Sequence, residues 1–255
     1  MTDMDNNNVQ AGDTIAVWFS CGAASAVAAK TTIAKYPQCR IKILNNFIAE
    51  EEADNRRFLH DVEKWLGVTI EDVRNPTYPN GSCVEVWETR KFMSGVGGAP
   101  CTSNLKFNAR LKWEAKNPCD WLVMGFTVDE AHRHDSLVEI EPKLLPVLID
   151  ENITKEECFK IVNAAGLKLP SMYEKGYPNA NCPGCVKATS PTYWNLVRVQ
   201  HPEVFAARAE QSRRLGAKLV RVKGERIYLD DLDPKATGRP LKEMKIECGI
   251  FCPYD

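Results

Sequence analysis

The sequence predicts an α/β protein, a doubly wound and mostly parallel sheet followed by a cysteine-bearing C-terminal segment. Short apolar runs alternate with helical patterns, a small-residue turn follows the first run, and the closely paired cysteines all lie beyond residue 180. Alternation of this kind builds βαβ units, whose ligands gather at the carboxyl ends of the strands.

In chain order, residues 14–19 read as a buried strand. The turn Ser20-Cys21-Gly22-Ala23-Ala24-Ser25 then leads into an Ala-rich helix that runs to about residue 35. Residues 41–49 form a second strand. A helix over 54–66 carries Phe58, Leu59, Val62, Trp65 and Leu66 on one face and stops at Gly67, and residues 68–73 form a third strand. The stretch 75–100, with Gly95, Gly97 and Gly98, reads as a mobile loop before a helix over 104–115 and a strand over 121–125. Residues 146–149 read as a further strand, and Thr154 with Glu157 makes a capping-box pattern for a helix ending before Gly166. Beyond residue 170 come an amphipathic helix over 202–215 and a hairpin whose strands, 219–222 and 226–229, flank Lys223-Gly224.

The 255 residues carry a formal net charge of -1, with 44% hydrophobic and 26% charged residues, enough for one large globular domain or one domain with an appendage. No run reaches the roughly 18 apolar residues of a membrane span. Residues 1–13 are polar and acidic where a signal peptide would be basic and then apolar, so a cytoplasmic protein is expected. The near-zero charge argues against a broad electrostatic grip on nucleic acid and leaves room for a local basic patch, of which the Arg208, Arg213, Arg214, Lys218 and Arg221 segment is the best, read as a solvated helix face. The expected organisation is a disordered leader at 1–13, a nucleotide-binding α/β domain at 14–169, and a C-terminal segment at 170–255 packed on the same domain.

Ten cysteines in a reducing compartment point to metal or redox chemistry before disulfides. Cys21, Cys39, Cys83, Cys119 and Cys158 stand alone among apolar or helical residues and read as small buried hydrophobes. Cys101, the pair Cys182 and Cys185, and the pair Cys248 and Cys252 lie beside Gly or Pro, in loops able to fold around an ion. The 20–25 turn joins a strand to a helix, so its N–H groups and the helix dipole suit a phosphate or sulfate, with Ser20 and Ser25 as hydroxyl donors and Gly22 and Ala23 allowing close approach. It lacks the lysine of a Walker A loop.

Set beside Pro100-Cys101-Thr102-Ser103-Asn104-Leu105-Lys106, residues 125–133, Gly176-Tyr177-Pro178, Asn181-Cys182-Pro183-Gly184-Cys185 and Glu247-Cys248-Gly249-Ile250, this turn resembles the modified phosphate loop of the phosphoadenylyl sulfate reductase family. That family belongs to the adenine nucleotide alpha-hydrolase-like superfamily, and the resemblance covers most of the chain. It implies a sulfonucleotide reductase acting on adenylyl sulfate or 3′-phosphoadenylyl sulfate, with Cys248 as nucleophile and Ser20, Gly22, Ala23, Ser25, Lys106, Glu130 and Arg133 about the nucleotide. The chain departs from the pattern in three places. Ala24 stands where the pyrophosphatase branch has Asp, Cys101 stands alone where the iron–sulfur reductases carry tandem cysteines, and Phe251 with Cys252 replaces the terminal His.

Cys182 and Cys185 on a tight Pro-Gly turn suit one metal site, and Cys101 with a C-terminal thiolate would complete the ligands of a [4Fe–4S] cluster. Cys252 is the expected fourth ligand, with Cys248 free as the nucleophile; the reverse assignment stays open. Structural zinc on Cys182, Cys185, Cys248 and Cys252 is the alternative. In the redox step a Cys248 thiolate, favoured by Lys242, Lys245 or Lys187, attacks the substrate sulfur and expels the nucleotide, and a thioredoxin- or glutaredoxin-like donor then releases sulfite. Arg133 offers a planar fork to an anion, Glu130 a partner for a ribose hydroxyl or for Arg133, and His132 and His134 read as solvated. The run Glu50-Glu51-Glu52 reads as a solvated helix start. A homo-oligomer is expected. The rival functions are an iron–sulfur enzyme that transfers sulfur to tRNA or DNA with ATP, for which nucleic acid would be a partner, and a non-catalytic nucleotide-binding module held by zinc.

Overall fold

The computed structural model describes residues 9–95, 97–244, 248, 250 and 251. The chain forms two compact units, one of Met1–Asn46, Asp54–Val73 and Lys112–Pro170, the other of Phe47–Ala53, Arg74–Leu111 and Ser171–Asp255. The division does not follow a single cut near residue 170. Phe47–Ala53 and Arg74–Leu111 belong to the second unit because Ile48, Val86, Trp87 and Leu105 bury their side chains with Met172, Tyr177 and Trp194.

The first unit is an α/β sheet. Strands β1 (Thr14–Trp18), β2 (Arg40–Asn46), β3 (Ile70–Val73), β4 (Trp121–Val123) and β5 (Leu144–Leu145) pair in the order β3-β2-β1-β4-β5, every pairing parallel. All five β1 residues are buried, as expected of a central strand covered on both faces. The chain leaves β1 for β2 on one side, and β4 lies on the other. The end of β1 is therefore the point where the strand order reverses, the usual ligand crevice of such sheets.

Helices Ala23–Lys35, Asp54–Leu66, Ala131–Val138 and Lys155–Ala164 flank the strands. Asp54–Leu66 buries Phe58, Leu59 and Val62, and each such side chain contributes about 1.5–3 kcal/mol when fully removed from water. The capping box at Thr154 and Glu157 forms as expected. The expected strand over 146–149 does not form. Pro146 cannot donate to a ladder, so the strand stops at Leu145, and Val147–Asp150 turns into a short helix. Val9 to Asp13 were expected within a disordered leader, but Asp13 accepts hydrogen bonds from Gln10 N–H and from the Trp121 indole, both at 2.8 Å. Among the described residues no helix is long and apolar enough to cross a membrane.

The second unit is mainly helical. A stretch expected as loop contains the helix Cys83–Arg90, started by Ser82, whose hydroxyl accepts from the Glu85 N–H. The Ser-x-x-Glu spacing is the readable signal for it. A long helix begins at Pro100, widens to π-type over Ser103–Phe107, and continues as Asn108–Glu114. Helices Pro191–Gln200 and Pro202–Arg214 each open on a proline, whose missing N–H has no partner to lose there. The hairpin forms as Val220–Val222 against Glu225–Ile227, with Lys223 and Gly224 both at positive φ, as a two-residue type I′ turn requires.

Candidate functional site

Two sites emerge, one in each unit. In the first unit the 20–25 turn is pinned from within. Ser20 N–H donates to Ser25 Oγ at 3.1 Å, the two hydroxyls meet at 3.2 Å, and Ser25 Oγ donates to the Gly22 carbonyl at 2.9 Å. Cys21 takes φ 56°, a left-handed conformation uncommon for a residue with a side chain, and it is 1% exposed. Asn45 at the end of β2 holds the entry to the turn, its Nδ2 donating to the Phe19 carbonyl at 2.9 Å. No side chain caps the Ala23–Lys35 helix at Gly22, which leaves its first N–H groups for an anion or water. Gly125 is required here, since a Cβ on it would lie 2.6 Å from the Ser25 nitrogen. Ser20, Gly22, Ala23 and Ser25 are thus together. Asn45 is a positioning residue with no signal in the sequence, whereas Gly125 opens the 125–133 stretch already picked out there.

Beyond β4, Glu130 and Arg133 are tied to each other by a short hydrogen bond, and the guanidinium lies 4.9 Å from the centre of the Phe126 ring. The pairing is one of the two roles open to Glu130. His134 is not solvated: it is buried, with Nε2 3.3 Å from the Leu144 carbonyl. His132 is exposed as expected.

In the second unit a largely apolar pocket collects five thiols, Cys83, Cys101, Cys182, Cys185 and Cys248, beside Lys106 and Lys187. Cys83 was expected to be a lone buried hydrophobe. It is instead the first residue of Cys83–Arg90, within hydrogen-bond reach of both Cys101 and Cys182. Cys101 sits in the first turn of the helix that begins at Pro100, and the wide π turn keeps Lys106 beside it. Cys182 and Cys185 flank Gly184, whose φ of 71° makes the tight turn. Tyr193 fixes that turn: its hydroxyl accepts from the Cys185 N–H at 2.8 Å and reaches the Cys182 carbonyl at 3.4 Å. Cys248 Sγ lies 3.6 Å from Thr102 Oγ1. Cys252, Glu247 and Lys245 lie outside the described residues.

The thiols are electrostatically unequal. A hydrogen bond from Cys83, aided by the Trp87 indole and the charges of Lys187 and Lys106, holds the Cys101 thiol down at about 7 against the effect of burial. At Cys182 the hydrogen bond from Cys83 acts in the same direction, but burial and Glu51 outweigh it and the thiol titrates above its usual range. Burial raises Cys185, and Cys83, donating to two neighbours, keeps its proton well above the usual thiol range. Burial works against the Lys106 ammonium, yet Cys248 and Glu51 more than compensate and hold it charged, with Glu51 Oε1 at 3.7 Å. The Trp87 indole N–H is buried with no hydrogen-bond partner of ordinary geometry and faces this pocket.

One expectation about charge is corrected and one holds in the main. The run Glu50-Glu51-Glu52 is not a solvated helix start. Glu50 accepts from the Cys83 N–H at 2.7 Å, Glu51 faces Lys106, and Glu52 pairs with Lys175 at 3.1 Å. The basic segment is solvated at Arg213, Arg214, Lys218 and Arg221, with Arg213 paired to Asp230 and Asp231 and Arg214 to Glu88. Arg208 departs from that reading, buried over the Trp87 ring.

No family model matches the chain, and no curated protein matches it. Among solved structures it is similar to the U34-tRNA thiolase NcsA from Methanococcus maripaludis with its [4Fe-4S] cluster, at 13% identity and a TM-score of 0.48, over 86% of this chain and 79% of that one.

Proposed function

We propose that this protein is an enzyme of sulfur transfer that holds an iron–sulfur cluster in the thiol pocket and an adenine nucleotide at the 20–25 turn. The observation that carries the reading is the gathering of five thiols from four separate segments into one apolar pocket with two lysines. Buried thiols suit soft metals, and iron–sulfur clusters are held by thiolates. The residues fit such a group. The donor set is all sulfur, the wall is apolar, and the buried Trp87 N–H is a donor of the kind that tunes a cluster through its sulfurs. Among the described residues no three His, Cys, Asp or Glu donors form a site for a single metal ion. The zinc alternative, on Cys182, Cys185, Cys248 and Cys252, includes a residue outside the described ones, and metal analysis decides it.

When bound, the cluster supplies a place for sulfur to be held and for electrons to pass. This chain's residues do the rest. Cys248, 3.6 Å from the Thr102 hydroxyl, is the thiol available to take sulfane sulfur from a persulfide donor, which leaves as its thiol, and to pass that sulfur on, and the turn binds the nucleotide phosphates. We favour sulfur delivery to an ATP-activated acceptor, such as a tRNA or DNA base, over reduction of a sulfonucleotide. A sulfonate needs uncompensated cations near the thiol, and Lys106, one of the pocket's two lysines, has Glu51 at 3.7 Å. Ala24 in place of Asp weighs the other way, and so does the placing of Cys248 beside Lys106, which is what attack on a sulfonucleotide sulfur would require. Reductase chemistry is therefore the second reading.

The experiment is iron, sulfide and zinc analysis with an absorption spectrum on protein purified without oxygen, followed by two assays. About four irons with matching sulfide are expected. The first assay offers ATP, RNA or DNA, and either inorganic sulfide or a persulfide donor with a reducing thiol, and looks for thiolated bases with release of pyrophosphate. The second offers both sulfonucleotides with a dithiol carrier and looks for sulfite. Zinc without sulfide would overturn the cluster, and sulfite release without base thiolation would make the protein a reductase.

A further inference from the structure

We infer that Cys83 is a ligand of the cluster, completing a set with Cys101, Cys182 and Cys185 and leaving Cys248 as the free, sulfur-handling thiol. The inference rests on the iron–sulfur reading and assigns its fourth ligand. Nothing near Cys83 in sequence marks it, since no second cysteine lies beside it. The fold supplies the reason. Cys83 is 4% exposed, lines the pocket, and lies within hydrogen-bond reach of one thiol from the Pro100 helix and one from the Cys182–Cys185 turn. It therefore stands between the two segments that must share a cluster. Its backbone is held there by Glu50, whose carboxylate accepts from Ser82 Oγ at 2.7 Å, Cys83 N–H at 2.7 Å and Val84 N–H at 3.2 Å.

Cys248 is placed differently. Its sulfur meets a hydroxyl, Thr102 Oγ1 at 3.6 Å, a partner suited to a thiol that stays unligated. The thiol contacts of Cys83 are with Cys101 and Cys182. On this assignment Cys83 takes the place of the second cysteine missing beside Cys101. Binding of the cluster displaces the thiol proton of Cys83 and brings no change in oxidation state at the sulfur.

The competing account is that Cys83 only fills the core, and substitution separates the two. Cys83→Ser keeps the shape and Cys83→Val keeps the apolar character at the cost of one extra methyl, so a packing role survives at least one of them and full ligation survives neither. In anaerobically purified protein with normal iron content, C83V and C83S are expected to lose at least one iron per chain or to change the electron paramagnetic resonance signal of the cluster. Cys248→Ala is expected to keep the wild-type iron, sulfide and signal. Far-UV circular dichroism confirms that each variant folds, and C83S, which can still ligate weakly, provides a second reading if C83V does not. The inference is overturned if C83V and C83S keep full iron and an unchanged signal, or if C248A loses iron as Cys182→Ala does. Wild-type protein with neither iron nor sulfide would instead overturn the cluster itself, an outcome visible before any substitution is made.

Discussion

The Tyr193 hydroxyl accepts a hydrogen bond from the backbone N–H of Cys185 at 2.8 Å. Tyr193 is 2% exposed and its ring packs edge-on against Tyr177 and Trp194, so the hydroxyl has little freedom to turn elsewhere. A buried aromatic framework thus fixes the separation of Cys182 and Cys185 before any metal arrives.

Removing that oxygen leaves the Cys185 N–H without its partner. Tyr193→Phe is expected to cost about 1–3 kcal/mol of stability, the usual penalty for an unsatisfied buried donor. The turn should also hold metal less firmly. Two measurements check this: the denaturation midpoint, and the rate at which a chelator removes iron, which should rise in Y193F. An unchanged rate would mean that the turn holds its shape without Tyr193.

Gly125→Ala tests the nucleotide turn. The added Cβ would lie 2.6 Å from the Ser25 nitrogen and 2.8 Å from its Cα, both backbone atoms that cannot swing aside. Overpacking of this kind costs about 1–3 kcal/mol and moves the backbone. Binding of ATP, followed by equilibrium dialysis, should weaken at least tenfold while the iron content stays at the wild-type value. Normal nucleotide affinity in G125A would remove the turn from the site.

Much of the first unit was legible because its signals are local. The apolar run at β1 and the face of Phe58, Leu59 and Val62 each declare an element within a few residues. The parts that were misread depend on distant partners. Cys83 looks like a lone core cysteine, and only the fold brings Cys101 and Cys182 to it. Glu50, Glu51 and Glu52 look like one charged patch, yet each is taken by a different element of the second unit. β5 is two residues long, too short to show any alternation.

Acid should weaken the link between the helices Cys83–Arg90 and Pro202–Arg214. The Glu88 carboxyl accepts from Arg214 at 2.6 Å and from Gln211 at 2.7 Å, and these bonds hold its pKa down at about 2. A carboxyl depressed in the folded state contributes stability that is complete above its unfolded value of about 4.3 and fades as pH falls towards the folded value. The pair is partly exposed, so the contribution is about 0.2–1 kcal/mol. The midpoints of wild type and Glu88→Gln should therefore differ most at pH 7, with the difference shrinking below about pH 4.3 and vanishing only as pH falls through about 2. A difference that does not shrink between pH 5 and pH 2 would show that the carboxyl charge is not its source.

Glu50 offers the last test, because one carboxylate organises the helix that presents Cys83. Its oxygens accept from Ser82 Oγ and from the N–H groups of Cys83 and Val84, at the helix end where the macrodipole favours negative charge. Ser82→Ala removes the cap on the Glu85 N–H, about 1 kcal/mol, together with one hydroxyl bond to Glu50, while Glu50 still covers the N–H groups of Cys83 and Val84. Glu50→Ala removes charge-assisted bonds worth about 1.5–3 kcal/mol and frees the first turn. If Cys83 binds the cluster, E50A should lose iron to a chelator faster than S82A does, in proportion to its larger loss of stability. If Cys83 only packs, both variants lose stability and neither changes the rate of iron loss.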